Sequence, residues 1–250
     1  MRKVPSQIFP QGRSMAILEN IMQDYSVGHV AIIPDGNRRW AKGKGLFPWL
    51  GHKEGITAYE KVIDRALDLN IFCVSFWGMS VDNIKKRPAA EVEFLLKAFS
   101  KALLDALKNP RLKEHDVRIS IVGEWRTLFP KSLVETGERL IEETKDRKQH
   151  IMNLMLCYDG KTEMTRAFEA AMSSGKPFTS PKDYLWTRDL PPVDLVVRTG
   201  GDPHLSAGFM MWDTADAQLH FTEKLWPDFT PDDFEGAIKD FQSRERRFGA

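Results

Sequence analysis

Short apolar runs alternate along this chain with longer segments in which apolar residues recur every three or four positions. The short runs are rich in Val and Ile and are too short for buried helices, so each predicts a strand buried on both faces. The six predicted strands are His29–Pro34, Ile71–Trp77, Val117–Val122, Ile151–Cys157, Val193–Val197 and Gln218–Phe221.

The longer segments have the spacing of amphipathic helices. Strands that alternate with helices predict a single α/β domain, in which helices flank a central, mostly parallel sheet of about six strands. The Pro-, Ser- and Gly-rich segment from Ser173 to Pro192 is predicted to be a surface connection. The predicted helices are His52–Leu69, Ala89–Leu107, residues 129–148, Thr162–Met172 and Pro231–Arg247, the last with Thr230 as its N-cap.

A dense polar cluster follows the first predicted strand directly. The chain passes from Pro34 into Asp35, Gly36, an Asn and two Args, which predicts a tight turn into a helix. Backbone N–H groups at a helix start and two guanidiniums favour an anion, and phosphate is the best match for the guanidiniums. The Asp35 carboxylate suits such a site if the anion arrives with a divalent cation, because Mg²⁺ prefers hard oxygen ligands.

Two further polar clusters follow other predicted strands. Ser80–Pro88 comes after the second strand, and Arg198–Ser206 comes after the fifth. Alone, each cluster is commonly a turn or a solvated helix entry. Because sites on parallel sheets gather at the carboxyl ends of strands, the three together predict one cationic cleft for a phosphorylated ligand and Mg²⁺.

Composition limits the other possibilities. The net charge of the 250 residues is only +1, which gives no indication of nucleic-acid binding. Cys73 and Cys157 lie in apolar runs and are predicted to be buried, reduced thiols of a cytoplasmic protein. No apolar run approaches the roughly 18 residues of a membrane span, so at most peripheral membrane contact is expected. Residues 1–13 are polar and basic and do not resemble a signal peptide.

Five motifs are spread along most of the chain. They are His29–Trp40, Gly51-His52-Lys53-Glu54-Gly55, Asp194–Gly201, Leu225-Trp226-Pro227-Asp228-Phe229 and Arg244–Gly249. Together they resemble those of the cis-prenyltransferases, the family of undecaprenyl diphosphate synthase and Z-farnesyl diphosphate synthase. The resemblance extends from about His29 to Gly249 and divides the chain into an N-terminal extension or helix, residues 1–28, and a cis-prenyltransferase domain, residues 29–250.

The resemblance implies a homodimeric isoprenyl diphosphate synthase that uses Mg²⁺, with a hydrophobic tunnel between the sheet and its helices. It assigns Asp35 to metal binding and catalysis, and His52 and Asn83 to catalysis. An allylic diphosphate would bind at the turn after the first strand, and isopentenyl diphosphate beside it. The substrate-binding residues would be Gly36, Asn37, Arg38, Arg39, Trp40, Arg87, Arg198, His204 and Ser206, with Arg247 and Gly249 of the partner subunit.

The chain departs from the family pattern at a few positions. Pro48 stands where the family usually has an Arg, and His204 stands where another Arg is usual. Gln218 replaces a carboxylate that usually helps to hold the metal, so Asp213 or Asp216 is a candidate substitute. These changes weaken the site expected for isopentenyl diphosphate.

Three functions therefore compete. The first is ordinary condensation of an allylic diphosphate with isopentenyl diphosphate. The second is an irregular condensation of two allylic diphosphates, of the lavandulyl or cyclolavandulyl type. The third is a non-catalytic subunit that supports an active homologue. Product length stays open: Gly78 leaves room for a chain, whereas Trp77, Phe94 and Phe99 are large enough to stop one.

Overall fold

A six-stranded parallel sheet forms the centre of residues 27–244, the part of the chain that the computed structural model describes. The strands are β1 (Val27–Ile33), β2 (Ile71–Met79), β3 (Val117–Val122), β4 (His150–Leu156), β5 (Leu195–Arg198) and β6 (Gln218–Phe221). The strand order is β3-β4-β2-β1-β5-β6, and every neighbouring pair is parallel. The predicted α/β fold is confirmed.

Helices flank this sheet. Helix α2 (Pro48–Asp68) begins four residues before the predicted start because Pro48 occupies its first turn, where a missing N–H costs nothing. The predicted N-cap Thr230 is confirmed, since its side chain accepts from the backbone N–H of Asp233. The helices are α1 (Asn37–Gly43), α2 (Pro48–Asp68), α3 (Val81–Lys86), α4 (Ala89–Lys108), α5 (Pro110–Glu114), α6 (Trp125–Leu128), α7 (Lys131–Thr144), α8 (Gly160–Ser173) and α9 (Pro231–Ser243).

The alternation of side chains along each strand produces two cores. In β1, Val30 and Ile32 face one layer, while Ala31 and Ile33 face the other. The first layer is the larger and is built mainly from α2, α4, α7 and α9. The second is smaller and includes Tyr158 and the turn around 209–210. The predicted burial of Cys73 and Cys157 is confirmed.

The segment from Ser173 to Pro192 is a surface connection, as its composition indicated, only over residues 173–179, and much of the rest is buried. Leu185, Thr187 and Leu190 are fully buried, and Lys182 is almost so. Lys182 forms a buried ion pair with Asp213. Burial of a charge requires a partner, and this partner lies far away in the sequence, so local composition did not reveal it.

The strand order brings the three polar clusters to one edge of the sheet. Strands β2, β1 and β5 are neighbours, and their carboxyl ends carry the loops that begin at Ser80, Asp35 and Thr199. Strand β2, which follows β1 in the chain, lies on one side of β1, and β5 lies on its other side. Ligands bind at this kind of reversal in strand order, because the loops on its two sides diverge and leave a crevice.

Candidate active site

A glycine sets the turn that enters the crevice. Gly36 has φ of +111° and forms the N-cap of α1. A Cβ at this position would lie 2.8 Å from Cδ2 of Leu225. The backbone and the close packing therefore both require glycine here, and the turn presents Asp35 on one side and α1 on the other.

Two guanidiniums hold the Asp35 carboxylate. Arg39 lies 3.2 Å from Oδ1, and Arg198 lies 3.1 Å from Oδ2. Arg198 comes from the end of β5 and is only 3% exposed, whereas about a third of the Asp35 side chain is exposed. The Thr199 hydroxyl also donates to the backbone carbonyl of Asp35 at 2.7 Å. The loops after β1 and β5 are thus joined through their charged groups.

A buried carboxylate, Glu91, organises the other side of the crevice. Its side chain is 2% exposed and lies 3.0 Å from His52 Nε2 and 3.2 Å from Arg87 Nη1, with Arg38 Nε at 3.7 Å. Burial lowers the pKa of His52 below its ordinary value, more than Glu91 raises it. His52 is therefore neutral at neutral pH in the free protein, and the carboxylate favours a proton on its Nε2.

Sequence reasoning missed Glu91. The residue lies in the first turn of α4, four positions after Arg87, so the pair has the i,i+4 spacing of a helix-surface ion pair. That spacing was the available signal, but it gave no indication that Glu91 is buried or that His52 reaches it from α2.

The loop after β2 is shaped by a capping box. Ser80 caps α3, and the Asn83 side chain accepts from the Ser80 backbone N–H at 3.2 Å while the Ser80 hydroxyl accepts from the Asn83 N–H. Asn83 also lines the cavity described below, as do Ser80 and Asp82. Its side chain is therefore held in place by the cap before any ligand arrives.

The loop after β5 carries a chain of hydrogen bonds. Arg198 Nη1 donates to the hydroxyl of Ser206 at 2.9 Å and also to the backbone carbonyl of His204. His204 Nε2 lies 3.0 Å from that hydroxyl, and its Nδ1 lies 2.8 Å from Asp202. The predicted residues Arg198, His204 and Ser206 therefore form one cluster, to which Asp202 belongs.

Two adjoining cavities open at this edge of the sheet. One has a volume of about 510 Å³ and extends between the sheet and the helices. Its inner wall is apolar and is formed by Ile56, Tyr59, Phe76, Trp77, Leu95, Phe99, Leu103, Leu154, Leu156 and Trp226. The other, of about 630 Å³, is lined largely by charged and polar residues, among them Arg38, Arg39 and Lys42, and is called the polar cavity below. Both lie within the roughly 300–1,000 Å³ typical of small-molecule sites.

The two cavities share a wall that contains most of the predicted site. Pro34, Asp35, Asn37, His52 and Arg87 line both. Gly36, Arg38 and Arg39 line the polar cavity only, and Asn83, Arg198 and Ser206 line the apolar one only. His204 reaches the apolar cavity through its contact with Ser206.

Some predicted residues do not join this site. Trp40 lines neither cavity, because α1 turns its ring toward Asp228, whose carboxylate accepts from Nε1 at 2.7 Å. Gln218 pairs with Leu195 at the opposite end of β5 from Arg198, so within one chain it lies away from Asp35. Of the two candidate substitutes, Asp213 is occupied by its buried contacts with Lys182 and Thr187.

Further predicted residues lie at the margins. Arg247 and Gly249 lie outside the described residues, as does most of the predicted N-terminal extension. Of the aromatic residues considered for product length, Trp77 and Phe99 line the apolar cavity beside Gly78, and Phe94 does not.

Comparison with known proteins agrees with this geometry. A family model described as "Putative undecaprenyl diphosphate synthase" matches residues 33–249. An isoprenyl transferase of Halalkalibacterium halodurans is 39% identical over 230 residues, covering 88% of each chain. A ditrans,polycis-undecaprenyl-diphosphate synthase, (2E,6E)-farnesyl-diphosphate specific, of Buchnera aphidicola is 35% identical, covering 91% of this chain and 93% of its own.

A solved structure shows the same fold. Lavandulyl diphosphate synthase from Lavandula x intermedia, in complex with dimethylallyl diphosphate, superposes with a TM-score of 0.83 at 27% identity, over 90% of this chain and 99% of its own. Sequence and fold therefore agree, and the chain belongs to the undecaprenyl diphosphate synthase family, the cis-prenyltransferases.

Proposed function

We propose that this chain condenses an allylic diphosphate with isopentenyl diphosphate, forming a Z-prenyl diphosphate and releasing diphosphate. The observation that carries the proposal is the wall shared by a cationic cavity and an apolar one. An amphiphilic substrate with an anionic head and a hydrocarbon tail matches both spaces at once. The family membership gives the reaction class, an isoprenyl transfer.

The head of the allylic substrate is assigned to the polar cavity. Arg38, Arg39 and Arg87 line it and supply planar groups that bind phosphate oxygens with two parallel hydrogen bonds. Negative charge accumulates on the leaving diphosphate as its C–O bond breaks. Cationic groups already held in place stabilise that charge more in the transition state than in the bound substrate.

The hydrocarbon tail is assigned to the apolar cavity. An allylic cation formed at its mouth is exposed to attack by water unless water is kept out. Phe76, Leu95, Leu103 and Trp226 form part of a wall that offers water few hydrogen-bond partners. The family's tunnel is proposed to occupy this space, which extends between β2, α2 and α4.

The proposed metal ligand among these residues is Asp35, with Mg²⁺ as the ion. Within residues 27–244 no three His, Cys, Asp or Glu side chains are grouped closely enough to form a metal site of their own. Asp35 nevertheless fits Mg²⁺, which usually takes one or two carboxylates together with substrate phosphates and water. When bound, the ion would neutralise charge on the departing diphosphate.

A second candidate reaction is the irregular condensation of two allylic diphosphates. Two observations favour it: His204 stands in place of an Arg beside Arg198, and the matching structure of lavandulyl diphosphate synthase holds dimethylallyl diphosphate. A neutral imidazole lacks the charge-assisted contact of a guanidinium, typically worth ~1.5–3 kcal/mol. Weaker binding of isopentenyl diphosphate would let a second allylic diphosphate compete.

Assembly and location complete the proposal. We propose a homodimer in which Arg247 and Gly249 of the partner subunit complete each site, and a catalytic domain that spans residues 29–250. None of the helices between residues 27 and 244 is both long and apolar enough to span a membrane. A cytoplasmic location is proposed from the two buried free cysteines, because cytoplasmic proteins usually keep their thiols reduced.

The decisive experiment offers the purified protein Mg²⁺ and each of dimethylallyl, geranyl and farnesyl diphosphates, with and without isopentenyl diphosphate. Product mass and NMR establish chain length and linkage. A Z-linked product that requires isopentenyl diphosphate supports the first reaction. A branched or cyclic product from dimethylallyl diphosphate alone supports the second. No turnover with any pair supports the non-catalytic subunit.

The control for this experiment is Asp35→Ala. We expect turnover to fall at least ~10²-fold, or about 2.7 kcal/mol of barrier, because the variant lacks the proposed metal ligand. The fold should persist, since the Asp35 side chain is partly exposed and its two Arg partners remain solvated or bonded to backbone groups. Turnover near that of the wild type would rule out the proposed role.

A further inference from the structure

Three residues of the loop after β5 form a hydrogen-bonded series that ends at the apolar cavity. Asp202 Oδ1 lies 2.8 Å from His204 Nδ1, and His204 Nε2 lies 3.0 Å from Ser206 Oγ. Ser206 lines the cavity, whereas Asp202 and His204 lie behind it with about half of each side chain exposed. An acid, an imidazole and a hydroxyl in this order form an arrangement that can accept a proton.

The positions of the protons in this series follow from its two ends. The Arg198 guanidinium only donates, so Ser206 Oγ must accept from it. The Asp202 carboxylate only accepts, so His204 Nδ1 must carry a proton. In the neutral ring Nε2 then carries a lone pair, and the Ser206 hydroxyl donates to it. A proton that reaches Ser206 can therefore pass to His204 Nε2 without any side chain turning.

We propose that Ser206 and His204 take up the proton that the acceptor substrate loses during condensation. The inference rests on the proposed function and assigns a role in it. A new bond joins C1 of the allylic substrate to C4 of isopentenyl diphosphate as the C1–O bond breaks and diphosphate departs. The resulting cation at C3 loses a proton from C2, whose C–H electrons form the C2=C3 double bond of the product.

That proton passes to Ser206 Oγ as the serine's own proton passes to His204 Nε2. The imidazolium then formed lies against the Asp202 carboxylate, which stabilises its charge. C2 of isopentenyl diphosphate is bonded to C1, the carbon that carries the diphosphate. Because Arg198 contacts Ser206 directly, a diphosphate held at Arg198 brings C2 close to the Ser206 hydroxyl. The guanidinium binds the diphosphate, and the relay receives the proton beside it.

The backbone holds Ser206 in a constrained position. Ala207 has φ of +50°, an unusual conformation for a residue with a Cβ, and Gly208 follows with φ of +62°. The carbonyl of Gly208 packs so closely on Gly160, the first residue of α8, that a Cβ there would lie 1.8 Å from it. Strain of this kind persists where the surrounding structure enforces it, which is common at functional sites.

Five charged groups lie in or around the loop that carries the relay. Asp202 is part of the relay, Arg198 contacts it directly, and Asp35 lies behind Arg198. Glu223 packs on Gly201 from the loop after β6, and Lys161 of α8 packs on Gly208.

The test compares the wild type with His204→Gln in steady-state and single-turnover condensation between pH 5.5 and 8.5. Glutamine can still bridge Asp202 and Ser206 but does not take up a proton. The matched control is His220→Gln. His220 lies on β6, outside both cavities, and like His204 it is paired with an aspartate, Asp240. A second readout uses isopentenyl diphosphate with deuterium at both C2 positions.

We expect the wild-type rate to fall as the pH decreases and His204 becomes protonated, because an imidazolium no longer accepts a proton. His204→Gln should lose this dependence, and its kcat should fall about 10²-fold, the lower end of the usual contribution of general bases. The KM for isopentenyl diphosphate should stay within about threefold. The deuterium isotope effect should grow, because proton loss becomes rate-limiting, and His220→Gln should behave as the wild type.

Two results would overturn the relay while leaving the proposed function intact. One is a raised KM for isopentenyl diphosphate with an unchanged kcat, which would make His204 a binding group only. The other is an active His204→Gln that keeps the wild-type pH profile and isotope effect. By contrast, a wild-type protein that is silent with every pair of diphosphates contradicts the proposed function itself.

Discussion

Replacing Glu91 by Gln tests whether one buried carboxylate holds the cationic side of the site together. Glu91 forms a hydrogen bond with His52 and an ion pair with Arg87 and lies near Arg38, while its own side chain is 2% exposed. Glutamine has nearly the same shape but no charge. His52 and Arg87 both approach the same oxygen, Oε1, so the glutamine oxygen can still face both, but only as a neutral acceptor. The NH₂ group takes the place of Oε2, beside Arg38.

The expected cost follows from those contacts. A hydrogen bond to a charged group contributes roughly 1.5–3 kcal/mol, against roughly 0.5–1.5 kcal/mol for one between neutral groups. Glu91 has one such bond, to His52, and a close ion pair with Arg87 at 3.2 Å. Arg38 is more than half exposed and adds little. Both contacts survive in a weaker, uncharged form and Arg87 keeps some access to water, so we expect the free energy of unfolding to fall by about 2–3 kcal/mol.

Catalysis should also suffer, because Glu91 positions two groups that line both cavities. We expect kcat to fall roughly 10- to 100-fold, as small displacements of positioning groups do. The pKa of His52 should decrease further, since the bond to Glu91 raises it in the wild type. Urea denaturation, steady-state kinetics and NMR titration of the His52 ring measure these three effects.

The control is Glu93→Gln on the same helix, where an exposed carboxylate pairs with exposed Lys97. This variant should match the wild type in all three measurements. The reasoning about Glu91 is refuted if Glu91→Gln does so as well, because a buried carboxylate with two close donors would then contribute nothing to stability or positioning.

Three further predictions concern the turn, the C-terminus and pH. Gly36→Ala should lower the free energy of unfolding by ~1–3 kcal/mol and impair turnover, because φ of +111° is strained for alanine and its Cβ would strike Leu225; denaturation and assays of one preparation test both. Deleting Ser243 to Ala250 should reduce turnover more than stability, and sedimentation should show a dimer for the full chain; a fully active monomer contradicts this. Burial lowers the pKa of His29 below 6.5, so the neutral ring stabilises the fold above pH 6.5, and this contribution is lost as the pH falls through the folded-state pKa. Between pH 7 and 5 the free energy of unfolding, measured by denaturation, should depend less steeply on pH in His29→Gln than in the wild type.

The sequence by itself determined the elements and the chemistry of the main cluster. Hydrophobic runs and helical periodicity depend on local burial, so they predicted all six strands and five long helices to within a few residues. Residues adjacent in sequence stay adjacent in space. The turn from Asp35 to Arg39 was therefore recognisable as a site for a phosphorylated ligand from its residue types alone.

Only the tertiary structure decided which distant residues meet. Glu91 reaches His52 because α2 and α4 pack on the same face of the sheet, and Lys182 is buried because Asp213 lies opposite it. Gln218 lies away from Asp35 because the register of β6 places it at the other end of the sheet. Such contacts depend on packing between elements far apart in the chain, and local sequence patterns do not show which of these elements lie close together in space.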